Sequence, residues 1–249
     1  SAEDGIQLHG WLFDPDCAGA KPHLYAICCH GYSGQPQDMA KYAHRFARLG
    51  FTVLVPALRG HGLSEGRYAG MGWLDRRDLM RWISLIIGSD ADARILLQGK
   101  SMGAAAVMMT VGEPDLPRNV VAAVEDCGYA SVGQQFIDCA RSMFHLPKFL
   151  AKPIVTTMGA IARRRAGYGF QEASCVEQLK HATIPMLFIH GGADDFVPSR
   201  ALDENFDACA SIDRQKLLIP SAGHSMSAST APVVYWKTVT NFVTRVFGL

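Results

Sequence analysis

The sequence predicts an α/β fold, in which a mostly parallel central sheet is flanked by helices on both faces. Short apolar runs of strand length alternate with longer stretches whose apolar residues recur at helical spacing. Some of these runs are apolar at every position, as in strands that are covered on both sides. Glycine-rich loops follow three of the runs, at residues 30–34, 99–103 and 190–194. At 249 residues, with 49% hydrophobic and 19% charged residues, the chain suits one globular domain over residues 1–249 that carries an insertion.

The first strands are predicted close to the start of the chain. Residues 5–13 alternate apolar and polar positions before becoming continuously apolar, which indicates an edge strand. His9 lies on its polar side and is interpreted as structural. The next strand covers residues 24–29, where Cys28 and Cys29 are interpreted as small buried side chains. It delivers the loop that follows to the carboxyl edge of the sheet, where ligands bind in open α/β sheets.

A helix, a strand and a second helix follow. Residues 36–49 show helical spacing, and residues 51–56 form a strand. His61 lies in the next loop between two glycines, and we interpret it as hydrogen-bonded to local backbone rather than as a base. The reason is that, in this architecture, a catalytic base is expected later in the chain than the catalytic nucleophile, and the candidate nucleophile, Ser101, comes after His61. Residues 72–87 then carry the apolar stripe of a helix.

The stretch that bears most on function combines an apolar run at 95–98, the pentapeptide Gly99-Lys100-Ser101-Met102-Gly103 and a small-residue run at 104–109. A Gly-x-Ser-x-Gly motif is weak by itself. Between a strand and a helix it is typical of a nucleophile elbow, a sharp turn that lifts the serine clear of the sheet. A serine hydroxyl needs a neighbouring base to attack a substrate. We therefore predict that Ser101 is a nucleophile.

A long span interrupts the alternation after the next strand, which covers residues 120–124. The span from about 129 to 180 contains two helical stretches, 132–143 and 154–164, with a break at Pro147. An insertion at this point would lie over the carboxyl ends of the strands as a cap. Its apolar and aromatic residues are expected on its exposed side, and they include Phe136, Met143, Phe144, Phe149, Met158 and Phe170.

The last two predicted strands each end in residues that suit catalysis. The strand at 185–189 leads to Asp194 and Asp195, and the strand at 215–219 leads to His224. Helices are predicted after each of these loops, at about 200–210 and 231–246.

Ser101, Asp194 and His224 thus follow three strands in the order serine, aspartate, histidine. In such a triad the histidine takes the serine proton and later gives it to the leaving group, while the aspartate fixes the histidine tautomer. Asp126, at the end of the strand before the insertion, and Asp195 are the alternative acids.

An oxyanion hole is predicted beside the serine. The helix that begins after Ser101 presents free N–H groups, and Gly31 allows the preceding loop to approach closely. We predict that the backbone N–H groups of Tyr32 and Met102 form the hole.

Six short motifs stand in the loops that follow the predicted strands: His30-Gly31, Arg59-Gly60-His61-Gly62-Leu63-Ser64, Gly99-Lys100-Ser101-Met102-Gly103, His190-Gly191-Gly192-Ala193-Asp194, Val197-Pro198 and Gly223-His224. With these motifs the chain resembles the α/β-hydrolase superfamily, and within it the bacterial serine carboxylesterase and acyl-hydrolase-like proteins that carry a short helical cap after the sixth strand. The resemblance implies a sheet of about eight strands, although the opening hairpin is short here.

The predicted function is hydrolysis of carboxylic esters with short to medium acyl chains through a covalent acyl-enzyme. A serine at position 101 disfavours alkyl transfer, which needs a carboxylate nucleophile at this turn. A thioesterase or peptidase of the same fold is the first alternative, and a non-catalytic binding protein on a hydrolase fold is the second.

Composition limits the partners. The formal net charge is +1 and the pI is near 7.6, so no surface for polyanions and no nucleic-acid partner are expected. The basic run Arg163-Arg164-Arg165 is interpreted as a solvated face in preference to a phosphate or lipid contact. The expected partner is a small ester or acyl substrate, and membrane association is expected only through a segment that preceded Ser1.

Seven cysteines lack the spacing of a zinc site or a redox pair, so no metal or cofactor is expected. Free thiols favour a reducing, cytoplasmic location. A membrane-anchored or exported protein remains the alternative, should an N-terminal segment have been removed.

Overall fold

The computed structural model describes residues 1–17 and 21–249, and over those residues its centre is a seven-stranded sheet. The strands are β1 (Gly10–Phe13), β2 (Leu24–Cys29), β3 (Thr52–Pro56), β4 (Arg94–Lys100), β5 (Val120–Asp126), β6 (Met186–Gly191) and β7 (Arg214–Ile219). They lie in the order β1-β3-β2-β4-β5-β6-β7. All neighbours pair in parallel except β1, which is antiparallel to β3. The predicted α/β class with a mostly parallel sheet is therefore confirmed.

Helices connect the strands. They are α1 (Ala40–Arg48), α2 (Asp75–Ser89), α3 (Met102–Val111), α4 (Val132–Phe144), α5 (Lys148–Ala166), α6 (Cys175–Leu179), α7 (Arg200–Ala208), α8 (Ser227–Thr230) and α9 (Pro232–Phe247). In the part of the chain that the structure describes, none of these helices has the length and apolar character needed to cross a membrane.

Two apolar layers cover the sheet. Helices α1 and α9 pack on one face, and α2, α3, α6 and α7 pack on the other. Strand β2 shows why both layers form, because its side chains alternate between the faces. Ile27 joins the layer of α3, whereas Ala26 and Cys28 join the layer of α1. This packing places the carboxyl ends of the parallel strands, and the loops that follow them, along one edge of the sheet.

The opening strand is shorter than the sequence predicts, because the residues before it bond to the loop after β3. The N–H of Glu65 donates to the carbonyl of Gln7, and the N–H of Ala57 donates to the carbonyl of His9, both at 2.9 Å. Over the described residues the sheet has seven strands where the resemblance implies about eight, and the insertion follows the fifth strand of this chain instead of the sixth.

The insertion contains a helical hairpin formed by α4 and α5. The chain turns between them at His145, which has a left-handed backbone conformation with φ of 53° and ends α4. Helix α5 begins at Lys148, six residues before the predicted start, with Pro153 inside it.

Two aromatic residues predicted on the exposed side of the insertion are not exposed. Phe170 is buried, and its ring stacks on that of the partly buried Phe136 with centroids 4.7 Å apart. The pair joins the inner side of the insertion to the layer of α3.

Candidate active site

Ser101 occupies the tight turn between β4 and α3. Its backbone has φ of 55° and ψ of −119°, a conformation that non-glycine residues rarely adopt. A Cβ on Gly99 would overlap the Gly103 carbonyl, so the two glycines allow the turn to close. The Ser101 N–H donates to the Asp126 carbonyl at 2.8 Å, which anchors the turn to the end of β5. The strand, turn and helix that the sequence predicts are all present.

His224 and Asp194 lie beside this serine. The Ser101 Oγ is 2.8 Å from the Nε2 of His224, and the Nδ1 of His224 is 2.7 Å from the Oδ2 of Asp194. Because a carboxylate only accepts hydrogen bonds, this contact places a proton on Nδ1 and leaves Nε2 free to accept the serine proton. The structure thus brings together three predicted residues that are distant in sequence.

Asp194 is held as a buried anion. Its Oδ1 accepts hydrogen bonds from the N–H groups of Phe196 at 3.0 Å and Val197 at 2.8 Å. Burial by itself would raise the pKa of Asp194, but hydrogen bonds from His190 and His224, together with the Val197 N–H, hold that pKa well below its usual range. The carboxylate therefore stays charged at neutral pH.

A second histidine, His190, also lies close to the Asp194 carboxylate. Its Nε2 lies 3.0 Å from the Val197 carbonyl and 3.4 Å from the Asp194 Oδ2. The sequence motif that contains His190 did not predict this contact. The spacing of four residues between His190 and Asp194 is the feature of the sequence that could have revealed it.

The two alternative acids do not reach His224. Asp126 is fully buried beside the hydroxyls of Tyr235 and Ser227 without a well-formed hydrogen bond, and burial raises its pKa. Asp195 is exposed. Of the three candidate aspartates, Asp194 alone contacts the histidine.

The other two predicted loop histidines bond to backbone instead of to Ser101. His30 contacts the Gly31 carbonyl through Nδ1 at 2.8 Å and accepts from the Leu58 N–H through Nε2 at 3.0 Å. Burial lowers the pKa of His30 to about 4, so it stays neutral. His61 contacts the Arg59 carbonyl at 2.9 Å, as its interpretation as a loop histidine implies.

The predicted oxyanion donors lie on either side of Ser101. A Cβ on Gly31 would stand 3.2 Å from the Ser101 Cβ, which shows how closely the loop after β2 approaches. Met102 is the first residue of α3, so its N–H has no partner within the helix. Among the residues that the structure describes, neither the Tyr32 N–H nor the Met102 N–H has an acceptor.

Two clefts meet at Ser101. One is an apolar pocket of about 450 Å³ between the strand-end loops and the inner side of the insertion. The Tyr129 and Tyr168 hydroxyls donate to the backbone carbonyls of Met71 and Ala69, so both phenol groups are already hydrogen-bonded. The pocket is lined by Tyr32, Tyr68, Ala69, Met71, Ser101, Met102, Tyr129, Gln135, Phe136, Cys139, Met158, Ile161, Ala162, Arg165, Ala166, Tyr168, Phe170 and Phe196.

The second cleft, of about 390 Å³, is more polar. Asp38, Lys100 and His224 border it, together with the glycine-rich loop after β2. Tyr32, Ser101 and Phe196 line both clefts. A bond held at Ser101 can therefore have an apolar group on one side and a polar group on the other.

Cys127 is an unpredicted neighbour of this site. Its Sγ, a carboxylate oxygen of Asp194 and a ring nitrogen of His224 lie within 4.8 Å of one another, a grouping that could hold a cation. However, the Nε2 of His224 already contacts the Ser101 Oγ and its Nδ1 contacts the Asp194 Oδ2, so neither ring nitrogen is free to coordinate a metal.

Comparisons with known proteins agree with this architecture. A family model described as serine aminopeptidase, S33 matches residues 20–157. The uncharacterized protein YqkD of Bacillus subtilis is 26% identical over 218 residues, which cover 87% of this chain and 70% of that protein. The uncharacterized protein Rv2307c of Mycobacterium tuberculosis is 29% identical over 226 residues, covering 90% and 70%. The Pyrococcus furiosus esterase Pf2001 superposes with a TM-score of 0.77 at 21% identity, covering 99% of this chain and 90% of that one, which shows a shared fold.

Proposed function

We propose that this chain, which belongs to the serine aminopeptidase S33 family of α/β hydrolases, cleaves carboxylic esters through a covalent acyl-enzyme. Membership of the family makes it a hydrolase. The proposal of ester cleavage rests on the continuous line of hydrogen-bonding contacts from Ser101 through His224 to Asp194, with two clefts meeting at the serine.

In the proposed reaction, His224 removes the hydroxyl proton of Ser101 as the Oγ attacks the ester carbonyl. The N–H groups of Tyr32 and Met102 stabilise the oxyanion of the tetrahedral intermediate. His224 then gives the proton to the departing alcohol, which leaves an acyl group on Ser101. Water, activated by the same histidine, releases the acid in the second half of the cycle. The charge of Asp194 stabilises the histidine each time it is protonated.

The two clefts suggest how the substrate lies. We assign the acyl chain to the apolar pocket and the alcohol to the polar cleft, because the pocket offers aromatic and aliphatic groups while the cleft offers Lys100. The insertion then serves as the cap, and the width between α5 and the strand-end loops limits the acyl chain to short or medium length.

An aminopeptidase is the second candidate, since the family carries that name. Such an enzyme needs an acidic group to hold the amine of its substrate. No acidic side chain is among the described residues that line the apolar pocket, and in the polar cleft the Asp38 carboxylate accepts the Gln35 N–H at 2.9 Å. These features favour esters over peptides. Thioesters remain the closest chemical alternative to esters.

A substrate panel tests the proposal. We expect p-nitrophenyl esters to be turned over faster than amino-acid p-nitroanilides and acyl-CoA thioesters, with a maximum at short to medium acyl chains. A preference for the anilides would identify a peptidase, and a rate that rises steadily up to long-chain emulsified lipids would contradict the limited pocket.

A pair of variants on α5 locates the acyl chain. Ile161 lines the pocket, whereas Ile154 is similarly exposed and does not. Ile161→Trp should lower turnover of the longest accepted ester by roughly tenfold while sparing the shortest one, and Ile154→Trp should alter neither. Equal effects of the two variants on soluble esters would show that the acyl chain of the substrate does not bind beside Ile161.

Replacement of Asp194 by asparagine should lower ester turnover by about 10⁴-fold. The Oδ1 position already accepts two backbone N–H groups, so the new amide NH₂ must face the Nδ1 of His224. That arrangement moves the ring proton to Nε2, which can then no longer accept the serine proton.

Asp126→Asn and Asp195→Asn are the controls, and we expect both to keep turnover within about tenfold of the unsubstituted protein because neither side chain contacts His224. Circular dichroism confirms that each variant is folded. A folded Asp194→Asn variant with near-normal turnover, alongside collapse in Asp126→Asn, would assign the acid to Asp126.

A further inference from the structure

The hairpin of α4 and α5 exposes a dense group of large apolar side chains. Phe144 is 69% exposed and Phe149 is 75% exposed, on either side of the turn between the helices. Exposure of such side chains to water is unfavourable, and several of them on one hairpin indicate an interaction surface. We call this set the hairpin face, and it consists of Met143, Phe144, Phe149, Leu150, Ile154, Met158 and Ile161.

The same hairpin is strongly basic. Residues 132–166 carry six arginines and lysines but one acidic residue, a formal charge of +5 in a chain whose whole charge is +1. The one acid, Asp138, pairs with Arg200. Lys148 and Lys152 are exposed, and within the described residues no carboxylate lies at salt-bridge distance from either. The hairpin face therefore combines apolar and aromatic groups with cations that are free to meet a negative surface.

The hairpin face is continuous with the pocket above Ser101. Leu150, Ile154, Met158 and Ile161 recur every three or four residues, so they form one stripe along α5. The end of the stripe near the turn is exposed, and its other end, at Met158 and Ile161, lines the pocket. An apolar path thus leads from the tip of the hairpin to the candidate active site.

We propose that the hairpin face docks the protein on an anionic lipid bilayer, from which membrane-dissolved esters with short to medium acyl chains enter the pocket. Basic residues beside exposed aromatic and aliphatic groups on a helix are the combination that binds the interface of an anionic membrane. A folded protein seated on the same face would lie across the path to the pocket. A fluid lipid layer leaves the path open, because the molecule that enters comes from the layer itself.

The run Arg163 to Arg165 is exposed, in agreement with its interpretation as a solvated face. Membrane association was expected only through a segment before Ser1, and the proposed docking adds a second route. In the fold, Arg163 pairs with Glu172 at 3.2 Å, while Arg165 stands at the pocket end of the stripe on α5. The docking part stands independently of catalysis, and the entry of esters rests on the proposed function.

Vesicle flotation tests the docking part. The Ser101→Ala protein, which cannot consume lipid under the proposed mechanism, should bind vesicles of phosphatidylcholine and phosphatidylglycerol mixed two to one. It should bind pure phosphatidylcholine more weakly, and added salt should weaken the binding to mixed vesicles. In this background, Phe144→Gln/Phe149→Gln should lower binding to mixed vesicles by roughly tenfold or more, and Lys148→Glu/Lys152→Glu should do the same.

Control variants make the same types of substitution at positions outside the hairpin. Ile212→Gln/Val233→Gln removes two apolar side chains that are at least as exposed, at 102% and 78%, from elsewhere on the surface. Arg118→Glu/Lys237→Glu makes the same change of charge at two exposed positions outside the hairpin. Both controls should bind mixed vesicles like the parent. Absence of binding by the parent, or equal binding by all variants, would overturn the proposal, as would a dimer that the hairpin substitutions dissociate and that does not bind vesicles.

A catalytic measurement separates this proposal from the proposed function. In the active protein, the substitutions at Phe144 and Phe149 should lower hydrolysis of an ester embedded in mixed vesicles by roughly tenfold, while turnover of a soluble p-nitrophenyl ester is unchanged. A protein that floats with vesicles but hydrolyses no ester would retain the docking surface and refute the esterase. Ester hydrolysis without flotation would support the esterase and refute the docking surface.

Discussion

Ser101→Ala should lower ester turnover by a factor on the order of 10⁴ to 10⁶ while the fold stays intact. The Oγ contacts His224, and the backbone of the turn is held separately by the Ser101 N–H and the Asp126 carbonyl. Alanine keeps the Cβ, so the backbone conformation is no more strained than in the parent. Steady-state kinetics with a soluble ester, together with thermal unfolding, measures both parts of the expectation.

A serine-directed fluorophosphonate supplies the complementary observation. It should label the parent once, at Ser101, and should leave Ser101→Ala unlabelled. Ser229→Ala is the control, because this exposed hydroxyl meets Lys41 on the surface of the molecule. Unchanged turnover in a folded Ser101→Ala protein, or labelling at a different residue, would refute the assignment of the nucleophile.

His224→Ala should lower turnover about as much as Ser101→Ala, because one change removes the attacking Oγ and the other removes the base that takes its proton. The two substitutions combined should be no worse than either one, since they disable the same unit.

The other two histidines near the turn provide controls. His30→Ala removes a buried ring that bonds to Gly31 and Leu58, so its main effect should be lower thermal stability. His61→Ala releases two backbone contacts in the loops after β2 and β3 and should change turnover modestly. A severe loss confined to His61→Ala would show that the base has been wrongly assigned.

Local patterns in the sequence predicted most of the sheet and its helices. Runs such as that of β2 are apolar at every position because both faces of the strand are covered, and the glycines around Ser101 report a turn with no room for side chains. The grouping of Ser101, Asp194 and His224 followed from a general rule that loops after parallel strands share one edge of the sheet. Their catalytic roles stay predictions until the variants are measured.

The features that the sequence did not reveal depend on contacts between distant segments. Residues 5–9 show a strand pattern, but the loop after β3 takes their backbone hydrogen bonds. The second helix of the insertion was predicted to begin at residue 154, yet α5 begins at Lys148 and continues through Pro153. The stacking of Phe136 on Phe170 and the approach of Cys127 to His224 join segments that local periodicity treats separately.

The charged residues are distributed unevenly along the chain, so the molecule has an electric dipole. Residues 132–166 carry a formal charge of +5, and the remainder of the chain, with 18 basic and 22 acidic side chains, carries −4. Two opposite charges of similar size at different parts of a nearly neutral body form a large electric dipole. Near any negatively charged surface, that dipole experiences a torque which turns the insertion toward the surface before contact is made. A protein with almost no net charge can in this way be oriented by a field that scarcely attracts it.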